Sequence, residues 1–107
     1  MWNEPTEAEL RRLPALYATE NVPWQEKVVR EHFFLGGSDW FLVEYGEEER
    51  IFFGFVVLNG DLANAEWGYI SFLELRSLNV RGLEIDRDLY WTPQPAGSIG
   101  LIRAACG

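Results

Sequence analysis

The chain has 107 residues, 48% apolar and 24% charged, with 17 acidic against 9 basic side chains and a net charge of −8. That length suits one domain that buries roughly two-thirds of its unfolded surface without metals or disulfides. The composition excludes a disordered chain, and a field of this sign repels phosphate, which argues against direct binding of nucleic acid.

One cysteine, Cys106, excludes an intramolecular disulfide, and the start "MWNEPTEAEL" carries no basic stretch followed by an apolar run. A cytoplasmic protein without a signal peptide is therefore expected. The longest apolar run, 51–58, is far shorter than the roughly 20 residues of a membrane helix, so no membrane partner is expected.

Thr6-Glu7-Ala8-Glu9 has the form of a capping box, and "EAELRRL" predicts a short amphipathic helix that stops at Pro14. "PALYATENVP" predicts an extended, packed connector. From Gln25 the apolar period becomes two. "EKVVREHFF" predicts a first strand, "WFLVEY" a second, "RIFFGFVVL" a third and "AEWGYI" a fourth. They are joined by "GGSD", by "GEEE" with Gly46 free to take positive φ, and by the Asn-Gly reversal at 59–60. Ser71 and Glu74 form a second capping box for a helix over about 72–78. "RGLEIDRDLYWTP" then predicts a loop and a last extended segment ending at Pro93.

These elements predict an α+β fold: an antiparallel sheet of four to five strands in a meander with two short helices. The domain is expected over 1–96, with 97–107 a loosely held tail. "IFFGFVVL" and "WFLVEY" are apolar on both faces, which marks central strands covered on two sides. Two short helices cover one face. Either the connectors at 14–24 and 79–95 wrap the other, or a partner covers it, a second copy included.

Catalytic chemistry finds little to use. His32 is the only histidine, on a strand beside Phe33 and Phe34, and reads as structural. Cys106 has no activating neighbour, and Ser38 and Ser71 belong to a turn and a cap. Glu84, Asp86 and Asp88 fall at i, i+2 and i+4, on one face of an extended chain. A magnesium or calcium site is one reading of that row, but no EF-hand loop accompanies it, and a solvated face explains it as well. Zinc lacks ligands, and no phosphate-cradling motif is present. No enzymatic activity, metal or cofactor is assigned.

Acidic clusters remain: Glu4, Glu7 and Glu9; Glu44, Glu47, Glu48 and Glu49; and Glu84, Asp86 and Asp88. Carboxylates spaced beside aromatic surface can imitate a phosphate backbone to a protein with a basic groove.

"LPALYATE", "HFFLGGSDWFLVEY", "FFGFVV", "WGYISFLEL" and "LEIDRDLYWTPQP", in that order over roughly 13–96, resemble the domain-of-unknown-function family 2958. The chain departs from the family pattern in "LNGDLANAEWG" and in its last ten or so residues. The resemblance brings no catalytic residues. It implies a gene of plasmids, phages or integrating elements in a bacterial host, where small acidic proteins often counter host defence. The expected function is a non-enzymatic interaction protein that binds and inhibits a host nucleic-acid-handling complex of restriction or CRISPR type. Glu44, Glu47, Glu48, Glu49, Glu84, Asp86 and Asp88 are its expected partner-binding carboxylates, with Trp2, Trp24 and Trp91 as apolar anchors. The alternative is a self-associating accessory module for element maintenance, without mimicry and with a homodimer as its working form.

Overall fold

Strands that are apolar on both faces need cover on both, and the computed structural model, which describes residues 3–107, supplies it. In chain order the strands are β1 (Val28–Val29), β2 (Glu31–Leu35), β3 (Ser38–Gly46), β4 (Ile51–Val57), β5 (Glu66–Ser71), β6 (Asn79–Val80), β7 (Leu83–Glu84), β8 (Asp86–Arg87) and β9 (Gln94–Pro95). The helices are α1 (Glu7–Leu10), α2 (Phe72–Ser77) and α3 (Gly100–Cys106), with short 3₁₀ turns before β1, between β4 and β5, and between β9 and α3. β2 to β5 form the expected meander. β8 joins its outer edge, giving a five-stranded antiparallel sheet in the order β5-β4-β3-β2-β8.

Local chemistry sets the helix starts. The Thr6 hydroxyl accepts from the Glu9 amide at 3.2 Å while Glu9 Oε1 accepts from the Thr6 amide at 3.0 Å, a reciprocal cap for α1. Ser71 caps α2 by accepting from the Glu74 amide. Leu10, Leu13, Phe72 and Leu75 from this helical layer then close over Phe33, Trp40, Leu42, Tyr45 and Phe52 of the sheet. Each fully buried phenylalanine there contributes about 2–3 kcal/mol of transfer free energy.

The second face is closed within the chain. Val29, Phe41, Val43, Phe55 and Val57 are covered by Ala96, Ile99 and Ile102, with Trp24 and Trp91 of the two connectors packed beside them as one of the expectations had it. The segment expected to hang loose after residue 96 is thus part of the domain: α3 buries Ile102 completely. Its signal was present as Ile99, Ile102 and Ala105 at three-residue spacing, masked by the glycines and small residues around them. Trp24 and Trp91, expected as apolar anchors for a partner, pack half-buried against the same core, and the Trp91 indole donates to the Val29 carbonyl at 3.0 Å.

Two strand boundaries also differ. "EKVVREHFF" is not one strand: Arg30 interrupts it, so β1 pairs with β9 while β2 enters the main sheet. The last extended segment is likewise divided. β7 pairs with β6 in a separate hairpin, and Ile85 drops into the core before β8 begins. Among the described residues no helix is long and apolar enough to cross a membrane.

Candidate functional site

A carboxylate inside the strand "WFLVEY" must find donors or destabilise the sheet, and the way it finds them builds the most distinctive surface of the molecule. Register along β3 and β4 runs Phe41↔Phe55 and Leu42↔Gly54, then jumps to Glu44↔Phe53, leaving Val43 as the extra residue of a β-bulge. With strict alternation Glu44 would share the helix-covered face with Leu42. The bulge turns it to the opposite face, beside Phe53 and Tyr69. Gly54 makes this possible. A Cβ there would stand 2.2 Å from the Phe41 carbonyl oxygen, so only glycine allows the strands to close at the bulge.

Glu44 was expected on an exposed turn. It is instead 2% exposed, inside β3. Its Oε1 accepts from the Tyr17 amide at 2.8 Å and its Oε2 from the Thr19 amide at 2.9 Å and from the Thr19 hydroxyl. The Lys27 ammonium donates in turn to the Thr19 carbonyl and, at 3.2 Å, to the Thr19 hydroxyl. A relay from Lys27 through Thr19 to Glu44 therefore pins the connector at 17–19 onto the sheet. Tyr17 sits at φ +71, a conformation that costs a non-glycine residue of order 1–3 kcal/mol and persists only where its surroundings impose it. The bond to Glu44 supplies that constraint.

The pinned connector presents Tyr17 outward, 61% exposed, against Tyr69 of β5, 58% exposed, with ring centroids 6.1 Å apart. Phe53 lies behind them, stacked on Trp67 at 5.8 Å on one side and under the Lys27 ammonium at 5.6 Å on the other. With Glu20 these groups line a cleft of about 290 Å³. The Tyr69 hydroxyl is pushed above the usual phenol range, first by partial desolvation, then by Tyr17 and by the carboxylates of Glu44 and Glu20.

Tyr17 also borders a second, wider cleft of about 490 Å³ lined by Glu47, Glu48 and Glu49. These three carboxylates are exposed on the turn between β3 and β4, as expected. The turn chemistry is not the expected one. Gly46 ends the strand, where a Cβ would meet Leu16 at 2.6 Å, and Arg50 takes the positive φ of +56. Glu47 pairs with Arg11 at 3.1 Å; among the described residues Glu48 and Glu49 have no ion-pair partner.

The remaining expected site residues are dispersed. Glu84 is exposed on the β6–β7 hairpin. Asp86 is occupied within the fold, accepting from Asn3 and from the Arg87 amide, which hold its carboxyl below the usual range despite partial burial. Asp88 faces His32 Nδ1 at 3.3 Å, while Asp39 lies 2.7 Å from Nε2. The imidazole stacks on Phe41 at 4.8 Å, so His32 ties β2, β3 and the segment after β8 together. Glu84 belongs to the separate β6–β7 hairpin while Asp86 and Asp88 lie along the edge of the main sheet, and among the described residues no group of three or more metal-ligating side chains is assembled. Trp2 lies outside the described residues. Tyr17, Glu20, Lys27, Phe53 and Tyr69 were not singled out from the sequence as partner-binding residues. The usable signal was Glu44 itself, one carboxylate in a run of buried apolar residues.

No curated protein and no solved structure matched the chain. Residues 6–104 match the family described as protein of unknown function (DUF2958). That span takes in the bulged strand, the pinned connector, the acidic turn and most of the C-terminal helix, and the chain belongs to this family.

Proposed function

We propose that the protein is a non-enzymatic interaction module that docks its acidic and aromatic surface on the basic groove of a nucleic-acid-handling protein and blocks it. In the setting the sequence resemblance suggests, the partner is a host defence complex of restriction or CRISPR type and the gene belongs to a mobile element. The observation that carries this reading is the placement of Glu47, Glu48 and Glu49, exposed on a turn that is anchored at both ends and adjoins the exposed ring of Tyr17. Glu48 and Glu49, without an ion-pair partner among the described residues, are free to meet arginines or lysines, and the field of the turn speeds encounter with a positive partner. Tyrosine beside them adds contact area at low conformational cost. The alternative, a self-associating module, drew on an uncovered sheet face; Ala96, Ile99 and Ile102 cover that face within the chain.

The test is capture of partners from a bacterial lysate by the tagged protein and by the charge-reversed variant Glu47→Lys, Glu48→Lys, Glu49→Lys. The expected result is a stoichiometric partner that binds nucleic acid, is released by high salt, is displaced by added DNA or RNA, and is lost in the folded variant. Equal capture by the variant, or capture that ignores both salt and nucleic acid, refutes the reading.

A further inference from the structure

We infer that the cleft between Tyr17 and Tyr69 is a receptor for a single arginine side chain of the partner, its guanidinium stacked on the tyrosine rings and paired with Glu20. This rests on the proposed function only in taking the partner to be basic; the cleft shares Tyr17 with the acidic surface but none of the carboxylates at 47–49.

The size is right for one side chain. About 290 Å³ lies at the lower limit of small-molecule pockets. The walls are two tyrosine rings more than half exposed and tilted at 58° to one another, with Tyr69 resting on Phe53, so both present aromatic surface to solvent. Phe53 is less available, since Trp67 and the Lys27 ammonium flank its ring.

The sign of the potential favours a cation. Lys27 also lines the cleft, over Phe53 and bonded to the Thr19 carbonyl and hydroxyl, but the carboxylates of Glu20 and Glu44 outnumber its single charge. The Tyr69 hydroxyl is pushed up first by desolvation, with Tyr17 and then the carboxylates of Glu44 and Glu20 adding to it, so both carboxylates act at this site. Guanidinium suits this site better than ammonium because it is planar, more weakly hydrated and able to stack on an aromatic face while hydrogen bonding in its own plane.

The site is also pre-organised. Tyr17 is held at positive φ by its amide bond to Glu44, and Glu44 is turned to this face by the bulge opposite Gly54. A strained, exposed aromatic residue maintained by a buried carboxylate has no evident part in the core, which closes without it.

The experiment is an amide and side-chain NMR titration of the full chain with N-acetyl-arginine amide, and with N-acetyl-citrulline amide as the uncharged isostere. Arginine is expected to give saturable shifts at Tyr17, Glu20, Phe53 and Tyr69 with an affinity on the millimolar scale, and citrulline to bind about tenfold more weakly. Tyr69→Ala, an exposed change on the sheet edge, should abolish saturation while the remaining spectrum stays folded. Glu47→Gln, Glu48→Gln, Glu49→Gln should leave the cleft titration within about twofold. Equal binding of citrulline, or shifts confined to 47–49, overturns the inference. If partner capture needs the acidic turn while arginine leaves the cleft untouched, the inference falls and the proposed function stands; the reverse pattern separates them the other way.

Discussion

Removing the acceptor from the connector latch tests whether Glu44 is a structural carboxylate or a binding one. In Glu44→Gln the side chain keeps its length, but one oxygen becomes an NH₂ donor. Three donors converge on the present carboxylate, the Tyr17 amide at 2.8 Å, the Thr19 amide at 2.9 Å and the Thr19 hydroxyl. The amide oxygen can serve the Tyr17 side or the Thr19 side, not both, and the other meets donor against donor. Hydrogen bonds to a charged group are worth about 1.5–3 kcal/mol each, so the loss of one set predicts a cost of roughly 2 kcal/mol. Glu44→Ala removes all three and releases the strain at Tyr17, which offsets part of the loss; about 3 kcal/mol is expected.

The cost has a ceiling set by local opening. The connector at 14–22 carries few fully buried side chains, so it can detach without unfolding the sheet. Two measurements separate these events. Urea unfolding followed by tryptophan fluorescence gives the global change, and with a slope of about 1–1.5 kcal/mol/M the midpoint of Glu44→Gln should fall by about 1.5 M. Hydrogen exchange should show the Tyr17 and Thr19 amides losing protection before the β3 and β4 amides do. A Glu44→Gln protein within about 0.5 kcal/mol of the parent, with both amides still protected, would refute the latch.

Two further perturbations probe opposite ends of the fold. Ile102→Ala should cost about 3 kcal/mol in the same urea assay, the usual effect of emptying a fully buried aliphatic site, whereas a loosely held tail would make it nearly silent. Glu31→Gln should raise stability at pH 7, because burial lifts the Glu31 carboxyl above its usual range despite attraction from Arg87. A raised carboxyl favours the folded state fully below its unfolded value of about pH 4 and loses that contribution as pH rises through the folded value, so the advantage of the variant should vanish in acid. A variant less stable than the parent at pH 7 would show that Arg87 outweighs burial.

The sequence carried the meander because each of its parts is locally determined. Period-two patterns in 31–57 and 66–71, a glycine pair after Leu35, an asparagine-glycine pair after Leu58 and two capping residues need no long-range information. What it hid depends on partners distant in the chain. α3 is seven residues long and weak by intrinsic propensity; it forms because Ile99 and Ile102 find Phe41, Val43 and Phe55 across the sheet. The split of "EKVVREHFF" at Arg30 depends on β9, more than sixty residues later, claiming Val28 and Val29.

The bulge at Val43 connects these lessons to the site. Counting from Trp40 by twos sends Glu44 to the helical face and makes it an error in the core, or pushes it out into the turn, where its acidic neighbours are. Neither happens, because a single unpaired residue changes the parity of the strand from that point onward. Gly54 is the only local mark of that change, and it reads equally well as an ordinary weak spot in a strand. Once the parity is reversed, the rest follows from the need to satisfy a buried carboxylate: the connector is drawn across the sheet, Tyr17 is bent into an unfavoured backbone conformation, and an aromatic pair is left facing outward beside the acidic turn. The aromatic part of the surface on which a basic partner is proposed to dock is thus a consequence of how the sheet accommodates Glu44. Restoring regular alternation by deleting Val43 should therefore dismantle the Tyr17–Tyr69 cleft while leaving Glu47, Glu48 and Glu49 exposed.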